Sequence, residues 1–254
     1  MPPNHQLQNM FSAPPSGGAK AGPRPSIADW SFIKMARADA TIQFTGVNAQ
    51  NFINGGIGAP VFSYVSSTPT EAQYYKGLTP AAAGDSAQVS DSLVKIELNN
   101  FSYFETRVYL PGAVSTNNIR VWIGMMDCTD GGNSGNLQTS TPPAFAGLPS
   151  NVVAFRFNPA SDSSWTCYVG TDSTHQTIVN TGVPVDISGA GHVFAISQTI
   201  LGTINFFIDG VLVGAISSNL PTGTTRLAIV NYAEARTANA IALGWSFSYW
   251  EQPK

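Results

Sequence analysis

Glu105, in the run Phe104-Glu105-Thr106-Arg107, is the natural place to begin a search for chemistry, because a second carboxylate nearby would make it half of an acid and base couple. Positions 107 and 110 are Arg and Leu, so no partner stands two or five residues on. The histidines, His5, His175 and His192, are scattered, and no two have the spacing of metal ligands on a helix. Serines are plentiful, yet none sits in a Gly-x-Ser-x-Gly elbow, and the glycines of Asp130-Gly131-Gly132-Asn133-Ser134-Gly135 do not lead from a strand into a helix as a phosphate cradle requires. Asp127, Asp130, Asn133 and Asn136 supply oxygen donors that suit Ca²⁺ at a loop rim, but the spacing is not that of an EF-hand and Asx turns in a solvated loop account for the same residues. No other cofactor is expected, and no catalytic residue emerges.

Alternation gives a more promising constellation. Side chains along a strand point to opposite faces in turn. In Tyr103 to Leu110, Phe104, Thr106, Val108 and Leu110 share one face, and Tyr103, Glu105, Arg107 and Tyr109 the other. In Ile119 to Met125, Arg120, Trp122 and Gly124 oppose an apolar set, and in Val152 to Asn158, Arg156 and Asn158 oppose Val153, Phe155 and Phe157. If these strands are neighbours, Tyr103, Glu105, Arg107, Tyr109, Arg120, Trp122 and Arg156 form one patch. Aromatic faces stack on sugar C–H surfaces while Arg and Glu bond hydroxyls, so the patch reads as a glycan-binding candidate. The competing reading is that Glu105 pairs with an arginine and that loop 127–150 or a neighbouring subunit covers the aromatics.

Such residues need strands to hold them, and the composition supplies them. Of the 254 residues only 11% are charged, against roughly 25% in soluble domains, while there are 24 Gly and 17 Pro. The clearest strands are Leu93 to Leu98, Phe101 to Leu110, Ile119 to Met125, Val152 to Asn158, Trp165 to Gly170, Val193 to Gln198, Thr203 to Ile208, Val211 to Ile216, Arg226 to Tyr232 and Ala242 to Trp250. Asp209-Gly210, between two apolar runs, predicts a type I′ hairpin, whose central residues both need positive φ. Helix patterns are nearly absent, although Thr70 to Tyr75 has room for one turn. The expected fold is an all-β, two-sheet antiparallel jelly-roll sandwich over residues 41–254.

Residues 1–40 read differently. Pro2, Pro3, Pro14, Pro15, Pro23 and Pro25 with Gly17, Gly18 and Gly22 leave no apolar period, so this segment is expected to be an extended arm that anchors the domain to a partner. A net charge of -3 without a basic cluster argues against nucleic acid, and no stretch reaches the about 18 apolar residues of a membrane helix. Met1 to Met10 lacks a basic region followed by an apolar run, so synthesis in a cytoplasm without a Sec leader is expected. Cys128 and Cys167 form one disulfide or remain two free thiols, and compartment favours thiols.

The carboxy-terminal half runs His192-Val193-Phe194-Ala195-Ile196, then Phe206-Phe207-Ile208-Asp209-Gly210-Val211-Leu212-Val213, then Asn219-Leu220-Pro221. Over roughly residues 90 to 250, this order resembles the laminin G-like branch of the concanavalin A-like lectin superfamily. The matching residues belong to turns and core, so the resemblance implies the fold more than any activity. Glucanases of that superfamily carry Glu-x-Asp-x-x-Glu on a central strand, a motif this sequence lacks, so the resemblance implies no enzyme. Domains of this kind behind a Pro/Gly-rich leader resemble bacteriophage structural proteins. That resemblance implies a virion component of head or tail, held by its arm to other virion proteins and to copies of itself, with attachment to host surface glycans as the alternative role.

Overall fold

The computed structural model describes residues 30–37, 52–55, 58, 60–65, 74–91, 96–99, 101, 103–111, 115–127, 151–171, 174–188, 190–200 and 202–253. Among them are sixteen strands: β1 Trp30–Arg37, β2 Phe52–Gly55, β3 Val61–Val65, β4 Tyr74–Leu78, β5 Ser86–Asp91, β6 Ile96–Glu97, β7 Tyr103–Tyr109, β8 Ile119–Met126, β9 Val152–Phe157, β10 Thr166–Gly170, β11 Gln176–Asn180, β12 His192–Ile200, β13 Thr203–Ile208, β14 Val211–Ile216, β15 Arg226–Ala235 and β16 Ala242–Pro253. Among the described residues one 3-10 turn, Thr116–Asn118, precedes β8, and the Ser115 hydroxyl caps it by accepting from the Asn117 amide.

These strands form two antiparallel sheets. Sheet A has the order β14-β13-β12-β7-β16-β4-β3, with β1 also paired to β16; sheet B has the order β11-β10-β9-β8-β15-β5-β2, with β6 paired to the start of β15. The fold is therefore the expected all-β jelly-roll sandwich.

Period-two alternation builds the core. From sheet A, β7 sends in Phe104 and Val108, and β13 sends in Ile204, Phe206 and Ile208; from sheet B come Val121, Ile123, Val153, Phe155, Leu227 and Ile229. Phe155 bridges the layers, with its ring centroid 5.0 Å from Phe194 and 5.2 Å from Phe206. Burying each such side chain contributes about 1.5–3 kcal/mol. The Asp209-Gly210 turn forms as the sequence predicts, with φ of 51° and 80°. A smaller polar knot ties the sheets together. Ser248 of β16 accepts from the Trp245 indole at 2.8 Å and from the Asn231 amide of β15 at 3.4 Å, and lies 3.0 Å from the Thr106 hydroxyl of β7.

Two expectations shift. The boundary expected at residue 40 moves, because Trp30–Arg37 is a strand of sheet A; no isolated run of eight residues reveals that β16 is long enough to need a second neighbour. Tyr74 and Tyr75, expected in a helical turn, begin β4 through pairing with β3 and β16. Of the strand expected over Leu93 to Leu98, Ile96–Glu97 is strand β6, and residues 93–95 lie outside the described residues.

Candidate functional site

The structure divides the seven patch residues between the sheets. Tyr103, Glu105, Arg107 and Tyr109 stand on β7 of sheet A, whereas Arg120, Trp122 and Arg156 stand on β8 and β9 of sheet B. The single patch is thus corrected to two faces. The reason is topological: after β7 the chain crosses to the opposite sheet through the 3-10 turn before β8, and alternation within a strand carries no information about which sheet the strand joins.

On sheet B, register lines up a row across the outer face. Trp122 stands opposite Arg156 on one side and Tyr232 on the other, Tyr232 stands opposite Gln88, and Arg120 stands opposite Glu234. The Arg120 guanidinium Nη2 lies 2.6 Å from both Glu234 carboxylate oxygens, and the Tyr232 hydroxyl at 3.0 Å and Arg236 Nη1 at 3.2 Å complete that carboxylate's shell. Arg156 grips Asp162 through Nε at 2.9 Å and Nη2 at 2.5 Å, and its guanidinium lies over both Trp122 and Tyr168, 5.8 Å and 5.4 Å from the ring centres. Trp122 and Tyr168 meet edge to face at 5.3 Å, and the Tyr168 hydroxyl donates to Gln176. Met126, Val152, Ala154, Ala228 and Val230 fill the rest of this face. Apart from Gln176 and Arg236, which are half-buried, all are buried, Trp122 to 5% exposure and Arg120 completely. Burial, reinforced by the neighbouring Glu234 charge, pushes the Tyr232 hydroxyl well above the ordinary phenol range.

Sheet A is open where sheet B is sealed. Tyr103, Glu105 and Arg107 are half-buried, and the Tyr103 hydroxyl donates to the Glu105 carboxylate. Across β12, Glu105 faces Ala195 and then Phe207, while Tyr103 faces Ser197 and then Asn205. The small Ala195 and Ser197, both buried, separate Tyr103 and Glu105 on one side from Asn205 and Phe207 on the other. Arg107 reaches the Ala190 carbonyl at 3.4 Å and lies over the Tyr109 ring at 5.1 Å. Tyr109 is buried, because Gly191, at φ 69°, brings its backbone onto the ring; a Cβ there would stand 2.5 Å from Tyr109 Cδ1. The expected arginine partner for Glu105 is thus replaced by Tyr103.

Residues that the alternation argument left out complete both faces. Glu234 and Tyr232 share a face of β15, and Asn205 and Phe207 share a face of β13, so the same period-two reading finds them once the partner strands are known. Asp162, in the loop after β9, has no periodicity to betray it.

The remaining candidates have structural settings. Asp127 is met by the Asn151 amide at 3.2 Å; its proposed Ca²⁺ companions Asp130, Asn133 and Asn136 lie outside the described residues. His192 Nδ1 lies 2.6 Å from Asp209 Oδ2, and Asp209 Oδ1 accepts the Val193 amide at 2.9 Å, so the pair fastens the hairpin turn to β12. Nearby, slight burial raises the Asp186 carboxyl, but the Ser188 hydroxyl and amide, the Gly191 amide and His192 outweigh it and hold the group below its usual range. Cys167 is a free thiol in the core, pushed up to about 12 by burial; Cys128 lies outside the described residues.

No protein-family model matches the chain, and no curated protein matches it in sequence. Solved structures do match its fold. A protein of unknown function from Shewanella oneidensis MR-1 aligns with a TM-score of 0.59 at 12% identity, covering 100% of this chain and 95% of that one. The carbohydrate recognition domain of Emp47p aligns at 0.57 and 9% identity, covering 87% and 95%. The Bacteroides ovatus mixed-linkage glucan GH16 protein, solved with a G4G4G3G product, aligns at 0.54 and 10% identity, covering 80% and 95%. This chain therefore shares its two-sheet β-sandwich fold with a carbohydrate recognition domain and a GH16 protein.

Proposed function

We propose that this chain is a non-enzymatic structural protein of a bacteriophage particle whose lectin-like domain recognises surface glycans through the outer face of sheet A. The observation that carries the sugar reading is the row across β7, β12 and β13: a half-buried Tyr103 beside a half-buried Glu105, with Asn205 and Phe207 beyond the small Ser197 and Ala195. An aromatic face, a carboxylate and an amide side by side are the groups that stack on a sugar ring and bond its hydroxyls. Arg120, Trp122 and Arg156, sealed in sheet B, leave the sugar-binding set, and Tyr109 packs beneath Gly191.

Ion pairing supports the non-enzymatic reading. Glycoside hydrolysis needs one carboxyl free to give a proton and another free to attack or to activate water. On sheet B, Glu234 is held by two arginines and Asp162 by a third, and on sheet A the Glu105 carboxylate accepts from the Tyr103 hydroxyl. The particle reading is supported by the 11% charge content and the Pro/Gly-rich leader, which suit permanent packing among other subunits.

A glycan array tests the sugar site. Wild-type binding should fall at least about tenfold in Tyr103→Ala, a change near 1.4 kcal/mol, and remain in a folded Trp122→Phe variant. Failure of the wild type to bind any glycan, or binding indifferent to Tyr103, would reject it. Release of reducing sugar from β-glucans should be nil. Deleting residues 1–29 keeps every described strand and should abolish incorporation into particles; normal incorporation would remove the anchoring role.

A further inference from the structure

β16 runs from Ala242 to Pro253 and needs three neighbours to satisfy its backbone. Along one edge lies β7, registered from Gly244 to Glu251. Along the other edge β4 covers only Ala242 to Trp245, and β1 takes over from Phe247 to Pro253. Without β1, that second half would expose a row of unpaired main-chain donors and acceptors, which is a template for any strand that arrives.

β1 is joined to the domain in an unusual way. β16 is its sole paired strand among the described residues, and the next strand, β2, lies at the far edge of sheet B. Residues 38–51 connect the two, and at about 3.3–3.6 Å per residue they reach up to roughly 45–50 Å. A domain of this length has a radius of gyration near 18 Å, so the same connection reaches β16 of a touching copy. Pairing with that copy makes the same ladder as pairing at home, so its occupancy depends mainly on how crowded the copies are.

We propose that β1 is an exchangeable donor strand, which completes sheet A of a second copy of this chain when copies assemble together. The inference rests on the particle reading only for the crowding of copies, and its test needs no particle. In a Cys128→Ser background, Met35→Cys is introduced into one tagged chain and Tyr249→Cys into another, and the two are co-expressed and mildly oxidised. These positions face each other in the ladder, at a spacing a disulfide accepts, and each chain lacks the partner thiol at home. Exchange gives a disulfide-linked heterodimer at least fivefold above an out-of-register control, Met35→Cys with Gln252→Cys. Ile33→Cys with Glu251→Cys repeats the test should either first variant fold poorly. Heterodimer at the control level for both facing pairs overturns the exchange, even if deletion of residues 1–29 abolishes incorporation. Heterodimer formed while that deletion incorporates normally upholds exchange without anchoring.

Discussion

The outer faces of the two sheets are made from the same residue types, tyrosine, arginine and glutamate, and they end in opposite states. On sheet B each charge meets its complement across the ladder or from the next loop: Arg120 meets Glu234, and Arg156 meets Asp162. With charges neutralised in pairs and guanidinium planes laid on Trp122 and Tyr168, the face can be buried without stranding a charge. On sheet A the neighbours that register brings to Tyr103 and Glu105 are Ser197 and Ala195 from β12 and Glu251 and Tyr249 from β16, so no cation stands opposite Glu105. Residue type therefore decides less than what stands opposite it.

The largest effect expected is on the sealed face. Arg120→Ala leaves Glu234 buried with Arg236 and Tyr232 as its remaining partners, and breaking such a pair costs about 3–5 kcal/mol. For a chain of this size that lowers Tm by roughly 10 °C or more. Replacing both partners, Arg120→Leu with Glu234→Leu, should recover most of the loss in the same thermal melt, because no charge is then stranded. If Arg120→Ala melts within about 1 °C of wild type, the sealed state of sheet B is wrong.

A smaller effect is expected from Tyr232→Phe, which removes one hydrogen bond to the Glu234 carboxylate, worth about 1.5–3 kcal/mol. It also changes the alkaline limb of stability. Tyr232 and Cys167 both have their ionisation raised by burial, so each is neutral in the folded chain at a pH where the unfolded chain has begun to lose the proton. Their contribution is whole below pH 9, and it drains away as pH climbs from the ordinary thiol value of 9.0 towards 12 for Cys167, and from the ordinary phenol value of 10.0 upward for Tyr232. Denaturant melts from pH 8 to 11 should show a shallower fall in Tyr232→Phe than in wild type.

Local rules carried the sequence a long way. Asp209-Gly210 needed only neighbours in the chain to be read as a hairpin, and the inward sets of β7, β8 and β9 needed only alternation. The division of the patch was beyond such rules, because it depends on the crossing between β7 and β8, and the run from Tyr109 to Ile119 contains nothing that distinguishes a hairpin from an arch. β5, with the sequence SAQVSD, and β11, with QTIVN, escaped for a related reason. Their residues are too polar to announce a strand, and they are strands because β15 and β10 pair with them. β1 escaped because its identity lies in the unmet half of β16, more than two hundred residues away.

The open face is where the smallest stability change should accompany the clearest loss of function. Glu105→Gln keeps the size and the ability to accept from Tyr103, so stability should move by no more than about 0.5 kcal/mol, the range of surface substitutions. Glycan affinity responds differently, since a carboxylate accepts stronger hydrogen bonds than a neutral amide. A fall of about threefold to tenfold, with an unchanged melt, would mark Glu105 as a contact to the sugar. An equal fall in Arg120→Leu with Glu234→Leu, across the sandwich, would mean that both faces feel one shared change in the fold, and the contrast between an open recognising face and a sealed structural one would collapse.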